Sequence, residues 1–249
     1  MNFLLLAPDE VGNEGFVLLH GARAAHVRTV LRAEPGQELR AGLLGGRLGQ
    51  ATVLAVTADE VQLRCALPFA QPPPSADDVL LLAVPRPKVL LRLYAHAAAL
   101  GFARLVLFRS WRVEKSHLQS KALLPDAQRA MLLAGLEQAG RTVLPSVQFF
   151  PRFKPMVEDQ LGTLNLPPAR FVAHPAAPTP THALAYPGRA PFTLAIGPDG
   201  GFLPYEVDAL ATRGFLPITC GRAPLRTETA LAVLAGQLAL LRERATVAP

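Results

Sequence analysis

Three glycines fall within the segment I-G-P-D-G-G-F-L-P-Y-E, from Ile196 to Glu206. Gly197, Gly200 and Gly201 follow Phe192, Leu194 and Ile196, an apolar run of buried-strand type. They precede Glu206 to Arg213, which reads as a helix stopped by Gly214. Glycine accepts positive φ and lets the main chain come close to a ligand. The chemistry open to such a loop is therefore recognition through backbone N–H and C=O groups. Open α/β sheets hold their ligands at this place, the carboxyl end of a parallel strand. The alternative is a plain β-to-α turn with no ligand. A second loop of the same kind runs from Cys220 to Ala230, C-G-R-A-P-L-R-T-E-T-A, after the apolar strand Leu216 to Thr219 and before a long apolar helix.

The elements that carry these loops alternate strand and helix. Val79 to Val84, Leu105 to Phe108, a short run near Val147, Phe171 to Ala173, Phe192 to Ile196 and Leu216 to Thr219 read as strands. Val89 to Leu100, Ala122 to Ala139, a segment near Lys154 to Leu161 and Thr229 to Arg242 read as helices, with Gly140 as a stop. This order predicts an α/β domain with a parallel sheet. Leu231, Leu234, Leu238 and Leu241 form one stripe on the last helix, broadened by Val233 and Leu240, so that helix is expected to be buried.

Ahead of this series, Q-P-P-P-S-A-D-D at 71–78 reads as a linker between domains 1–70 and 79–249. The segments Phe16 to Leu19, Glu38 to Ala41, Gln50 to Val56 and Glu60 to Cys65 read as short strands, with Arg23 to Leu31 a helix. They predict a small β-barrel domain of a kind that commonly binds nucleic acid on one face.

Half of the 249 residues are apolar, enough for packed cores. Pro85, Arg86 and Lys88 interrupt the longest apolar stretch, and the amino end lacks a basic region with a cleavage site, so a cytoplasmic protein away from membranes is expected. Cys65 and Cys220 stand far apart without C-x-x-C spacing, which disfavours zinc and disulfides; Cys220 is expected to be a small buried residue. A net charge of +6 favours a polyanionic partner, nucleic acid above all. Lysine occurs only at 88, 115, 121 and 154, leaving 21 arginines, which grip phosphate and stack on bases. A GC-rich genome would enrich arginine equally.

Together, I-G-P-D-G-G-F at 196–202 and L-R-T-E-T-A at 225–230 resemble the ribosomal RNA uridine-N3 methyltransferases of the knotted SPOUT superfamily. His26 with Val30-Leu31-Arg32, and Glu137-Gln138-Ala139-Gly140-Arg141 followed by Pro145, extend the resemblance over most of the chain in the family's order. The chain departs from the family pattern at Asp199, where glutamate is usual, at Ala223 and Pro224, and at His96 and Ala99 before Leu100-Gly101.

The resemblance implies a PUA-like RNA-binding module followed by a SPOUT domain with a trefoil knot, a feature that chain-path rules disfavour and periodicity does not reveal. It implies S-adenosylmethionine as methyl donor, against Ile196, Gly197, Gly201, Cys220, Gly221 and the run from Leu225 through Ala230, Thr227 and Thr229 included. His174 lines a third loop or caps its strand before Pro175. Arg23, His26, Arg28 and Arg32 would face RNA, or form the solvated side of a helix. The implied partners are ribosomal RNA or the small ribosomal subunit and a second copy through the carboxyl-terminal domain, with no metal. For methylation at N3 of a uridine, Arg226 would stabilise the anion spread over O2 and O4. Glu228 would accept the proton or anchor the helix start. Two further readings stay open: a non-catalytic RNA-binding protein, and a SPOUT ribose methyltransferase acting on transfer RNA. No G-x-x-x-x-G-K-[ST], H-E-x-x-H or G-x-S-x-G occurs.

Overall fold

The structure, a computed structural model, describes residues 3–66, 77–221 and 223–245. Its contacts divide them into two compact units. In the first, β1 (Phe3–Leu6), β2 (Phe16–His20), α1 (Gly21–Thr29), β3 (Glu38–Leu43), β4 (Leu48–Val56) and β5 (Glu60–Ala66) follow one another. The strands order as β1-β3-β4-β5-β2, with β1 parallel to β3 and the other pairs antiparallel. The expected barrel takes the form of a five-stranded half-barrel with β1 and β2 at its edges. Strand β2 alternates exposed and buried residues, and its inward Val17 and Leu19 join Leu39, Val53, Val61 and Leu63 in one core that α1 covers with Ala24 and Val27. β1 was not expected from the sequence. Its four residues are all buried, a continuous apolar run that carries no period of its own.

Leu133–Leu144 also belongs to the first unit, so the expected single stretch 79–249 is interrupted. The reason is a set of hydrogen bonds that no local pattern announces. The Thr142 hydroxyl donates to the Gly46 carbonyl at 2.8 Å, and the Gly45 amide donates to the Thr142 carbonyl at 2.7 Å. Gly42 makes room for this: a Cβ there would lie 2.6 Å from the Thr142 methyl.

The second unit contains β6 (Val79–Ala83), α2 (Pro87–Leu100), β7 (Arg104–Phe108), the first part of α3 (Pro125–Ala139), β8 (Ser146–Phe150) and the single turn α4 (Phe153–Pro155). Then come β9 (Ala169–Ala173), the two-residue β10 (Thr179–Pro180), β11 (Phe192–Ile196), α5 (Pro204–Ala211), β12 (Leu216–Thr219) and α6 (Thr227–Arg244). The sheet is parallel throughout, in the order β10-β12-β9-β11-β6-β7-β8. Central β6 and β11 are buried at every residue, as parallel strands covered on both faces must be. Helix α5 begins at Pro204, two residues earlier than the apolar pattern suggests, because proline suits the first helical position. On α6, Leu231, Leu234 and Leu238 are buried as expected, whereas Leu240 is 47% exposed.

Most of the proposed linker, 71–76, lies outside the described residues. Asp78 does not belong to a linker: it is buried, accepts from the Phe192 amide at 2.9 Å and binds the Arg242 guanidinium through both carboxylate oxygens at 2.8 and 2.9 Å. The Arg242 group also lies 5.5 Å from the Phe192 ring centroid. A carboxylate so placed joins the start of the sheet to the end of the last helix. Asp78→Ala leaves the Arg242 charge covered and without its partner, which should cost about 3 kcal/mol. Urea unfolding tests this, and an unchanged midpoint would rule out the pair as a tie.

Candidate functional site

The carboxyl ends of β9, β11 and β12 open on one cavity. Ala173, His174 and Pro175 wall it on one side, the loop Ile196 to Gly201 on a second, and Ile218, Thr219 and Cys220 on a third. Ala223, Pro224, Leu225 and the first turns of α6, with Thr227, Ala230 and Leu234, complete it. Of the residues expected to hold a cofactor, the structure brings together His174, Ile196, Gly197, Gly201, Cys220, Leu225, Thr227 and Ala230. Gly221 instead lines a neighbouring cavity beside His182, Gln237 and Leu240, and Thr229 is exposed on α6. Cys220 is half-buried at the wall rather than buried.

The glycine loop has this shape because it folds tightly on itself. A Cβ on Gly197 would lie 2.9 Å from the Phe202 nitrogen and 3.1 Å from the Gly201 carbonyl carbon, and Gly201 has φ +70. Three contacts hold the loop from outside. Arg112 donates to the Gly200 carbonyl, Arg86 lies 3.4 Å from Asp199, and Glu206 accepts from the Leu203 amide at 2.9 Å. Glu206 is fully buried, and its other oxygen accepts from the Trp111 amide at 2.9 Å. It is a residue that the sequence reading passed over, although a glutamate at the third position of a helix led by proline is a recognisable start signal.

His174 caps as well as lines. Its amide donates to the Ile218 carbonyl at 3.0 Å, and its Nδ1 accepts from the Ala176 amide at 3.3 Å, which closes the turn after β9. Arg226 is the residue before α6, exposed, with its carbonyl accepting from the Ala230 amide at 2.8 Å. Glu228, the second residue of the helix, pairs with Arg92 of α2, a partner that spacing could not reveal across 136 positions. The hydrogen bond from Arg92 holds the Glu228 carboxyl below its ordinary value, with its own backbone N–H and the Arg226 charge adding to the effect and burial opposing it.

In the first unit, α1 presents Arg23 and His26 to a groove shared with Phe3, Glu137 and Gln138. Arg23 is already engaged there, paired with Glu10 and donating to the Leu5 carbonyl at 2.8 Å. Burial raises the Glu137 carboxyl, against the pull of Arg23 and His26. Arg28 points elsewhere, donating to the Thr57 carbonyl at 3.1 Å, and Arg32 is exposed with φ +50 just past the helix. The four do not form one row. Among the described residues no His, Cys, Asp and Glu group could hold a metal ion, and no helix is long and apolar enough to cross a membrane.

Residues 72–239 match the RNA methyltransferase domain. The chain is 27% identical over 241 residues to ribosomal RNA small subunit methyltransferase E of Treponema pallidum, covering 92% of this chain and 87% of that protein. It is likewise 27% identical over 253 residues to the protein of that name in Mycobacterium tuberculosis, covering 97% and 93%. A Legionella pneumophila protein solved in complex with the bound cofactor SAM superposes with a TM-score of 0.71 at 23% identity, over 98% of this chain and 97% of that one. The Neisseria gonorrhoeae ribosomal RNA small subunit methyltransferase E, bound to S-adenosyl methionine, gives 0.67 at 17%, over 98% and 96%. These structures share the fold of both units.

Gly197→Ala should cost about 1–3 kcal/mol, because the new methyl meets backbone rather than a movable side chain. A denaturation midpoint equal to that of the parent would contradict the tight loop. The depressed Glu228 carboxyl gives a signed pH dependence. Its contribution is fully present above the unfolded carboxylate pKa and is lost as pH falls through the lower folded value. The stability gap between the parent and Glu228→Gln should therefore stay flat from about pH 5.5 upward and close on acidification. A gap that widens in acid would exclude the Arg92 pairing as its source.

Proposed function

The chain belongs to the RNA methyltransferase family, and we propose that it transfers a methyl group from S-adenosylmethionine to N3 of a uridine in small-subunit ribosomal RNA. The observation that carries this reading is the cavity built from two glycine-bearing strand-to-helix loops, at 196–201 and 220–230, whose wording matches that of the resembling family. The relatives named as small subunit methyltransferases span nearly the whole chain, which favours a ribosomal acceptor over transfer RNA.

The residues present fit such a donor. Ala173, Ile196, Ile218 and Leu234 offer apolar walls for an adenosine, and the close-folded glycine loop leaves main-chain groups to meet its polar edge. When bound, S-adenosylmethionine supplies an electrophilic methyl on a sulfonium for in-line attack by the acceptor nitrogen. The protein's share begins with the acceptor, because uridine N3 is a poor nucleophile while protonated. The exposed Arg226 guanidinium, at the amino end of α6, would face the charge that spreads over O2 and O4 when the proton leaves. Glu228, ionised and tied to Arg92, is better suited to hold the start of α6 in place than to store that proton. Solvent then takes the proton. Positioning supplies much of the rate in a displacement between two held groups.

A trefoil knot accords with the strand order. β12 lies between β9 and β10, which are consecutive in the chain, and α6 returns so that Gln237 accepts from the Thr181 hydroxyl just past β10. A homodimer would draw on the exposed Leu240 and the cavity beside it.

Incubation with labelled donor, followed by nucleoside mass spectrometry of small subunits and of naked ribosomal RNA, tests the whole reading. N3-methyluridine is expected. A ribose-methylated nucleoside would identify the transfer RNA type of enzyme instead, and bound RNA without label a non-catalytic binder. Arg226→Ala should lower kcat about 10²- to 10³-fold, the cost of removing one charge-stabilising donor. Donor affinity measured by calorimetry should be retained. Equal loss of both would remove Arg226 from the chemical step.

A further inference from the structure

The protein has a single tryptophan, Trp111, and it lies 73% exposed in the loop after β7. Exposed indoles are costly in lost apolar burial, and a loose loop would be the simplest setting for one. This loop is tied down. Ser110 and Val113 on either side are buried, the Trp111 amide donates to the fully buried Glu206, and Arg112 donates to the Gly200 carbonyl. The backbone beneath the indole is thus fastened to the same glycine loop that walls the proposed cofactor cavity, while the ring itself is presented to solvent.

Cations flank it. Arg112 is exposed, as are Lys115 and Lys121 further along the segment, and Arg86, paired with Asp199 on the glycine loop, keeps 72% of its side chain exposed. Glu114 is the exposed acid in this stretch, and it faces His117 at 3.8 Å. An aromatic ring carried on an anchored backbone among guanidinium and ammonium groups suits single-stranded nucleic acid, whose bases stack while its phosphates take the cations.

We propose that Trp111 is a substrate-positioning residue that stacks on a base of the acceptor RNA beside the glycine loop that walls the cofactor cavity, with Arg112 and Arg86 meeting the adjoining phosphates. The inference rests on the reading of RNA as substrate and adds the surface that holds it. A stacked base is unpaired, so the acceptor would be presented in a loop or splayed strand rather than in a helix.

The lone indole is its own reporter. Titrating the full-length protein with a fragment of small-subunit ribosomal RNA, and separately with polyuridylate, should quench its emission in a saturable, salt-sensitive manner. Trp111→Ala should raise KM for RNA by about 5- to 100-fold, the equivalent of one base stack, with the smaller change in kcat. Trp111→Phe should recover most of the loss, and donor affinity by calorimetry should not move. Emission that ignores RNA whose binding is verified by filter retention overturns the proposal, as does failure to bind RNA at all. Emission that changes with protein concentration alone overturns it too, since a second copy would then cover the ring. Saturable quenching without methyl transfer keeps the stacking surface and rejects the enzymatic reading; methyl transfer without quenching does the reverse.

Discussion

Asp78 joins parts of the parallel-sheet unit that are far apart in the chain. Its carboxylate takes the Phe192 amide at the start of β11 and both near contacts of Arg242 at the end of α6. With the Glu228–Arg92 pair near the other end of that helix, α6 is fastened at two places about four turns apart. Ala223 to Arg226 must then finish where α6 begins, against the open ends of β9 and β11. The wall of the cavity is a consequence of how the helix is moored.

Most groups that face the cavity belong to the main chain or to small side chains, so its shape depends on residues behind it. Glu206 is the clearest case. A fully buried carboxylate with two amide partners is held in place by its own satisfied hydrogen bonds, and it links the helix after the glycine loop to the segment after β7. Arg112 and Arg86 act on the same loop from its exposed side. Asp199, where the resembling family uses glutamate, is within reach of Arg86, so the shorter acid still has a cation to meet.

Periodic and local signals carried much of this architecture. Continuous apolar runs marked β6 and β11, glycine stops at Gly140 and Gly214 ended α3 and the helix after the glycine loop, and the leucine stripe outlined α6. The two glycine loops were visible as loops, and their joint wording carried the family resemblance. Pairings across long stretches of chain were not legible. Nothing near Glu228 points to Arg92, nothing near Asp78 points to Arg242, and the prolines before Asp78 disguised it as linker. β10 escaped notice because two residues, one of them proline, have no pattern, and Leu133–Leu144 joined the first unit through hydrogen bonds to a turn that is distant in sequence.

The place of β12 in the sheet bears on the order of assembly. Among the described residues, β10 is hydrogen-bonded within the sheet only to β12, whose residues are synthesised nearly forty positions later. Until that last strand arrives, the segment between β9 and β11 has no neighbour to fix its edge, so the nascent chain must carry an unfinished margin past the ribosome's exit. Such delayed closure makes for slow maturation and for a sheet edge exposed to other chains in the meantime.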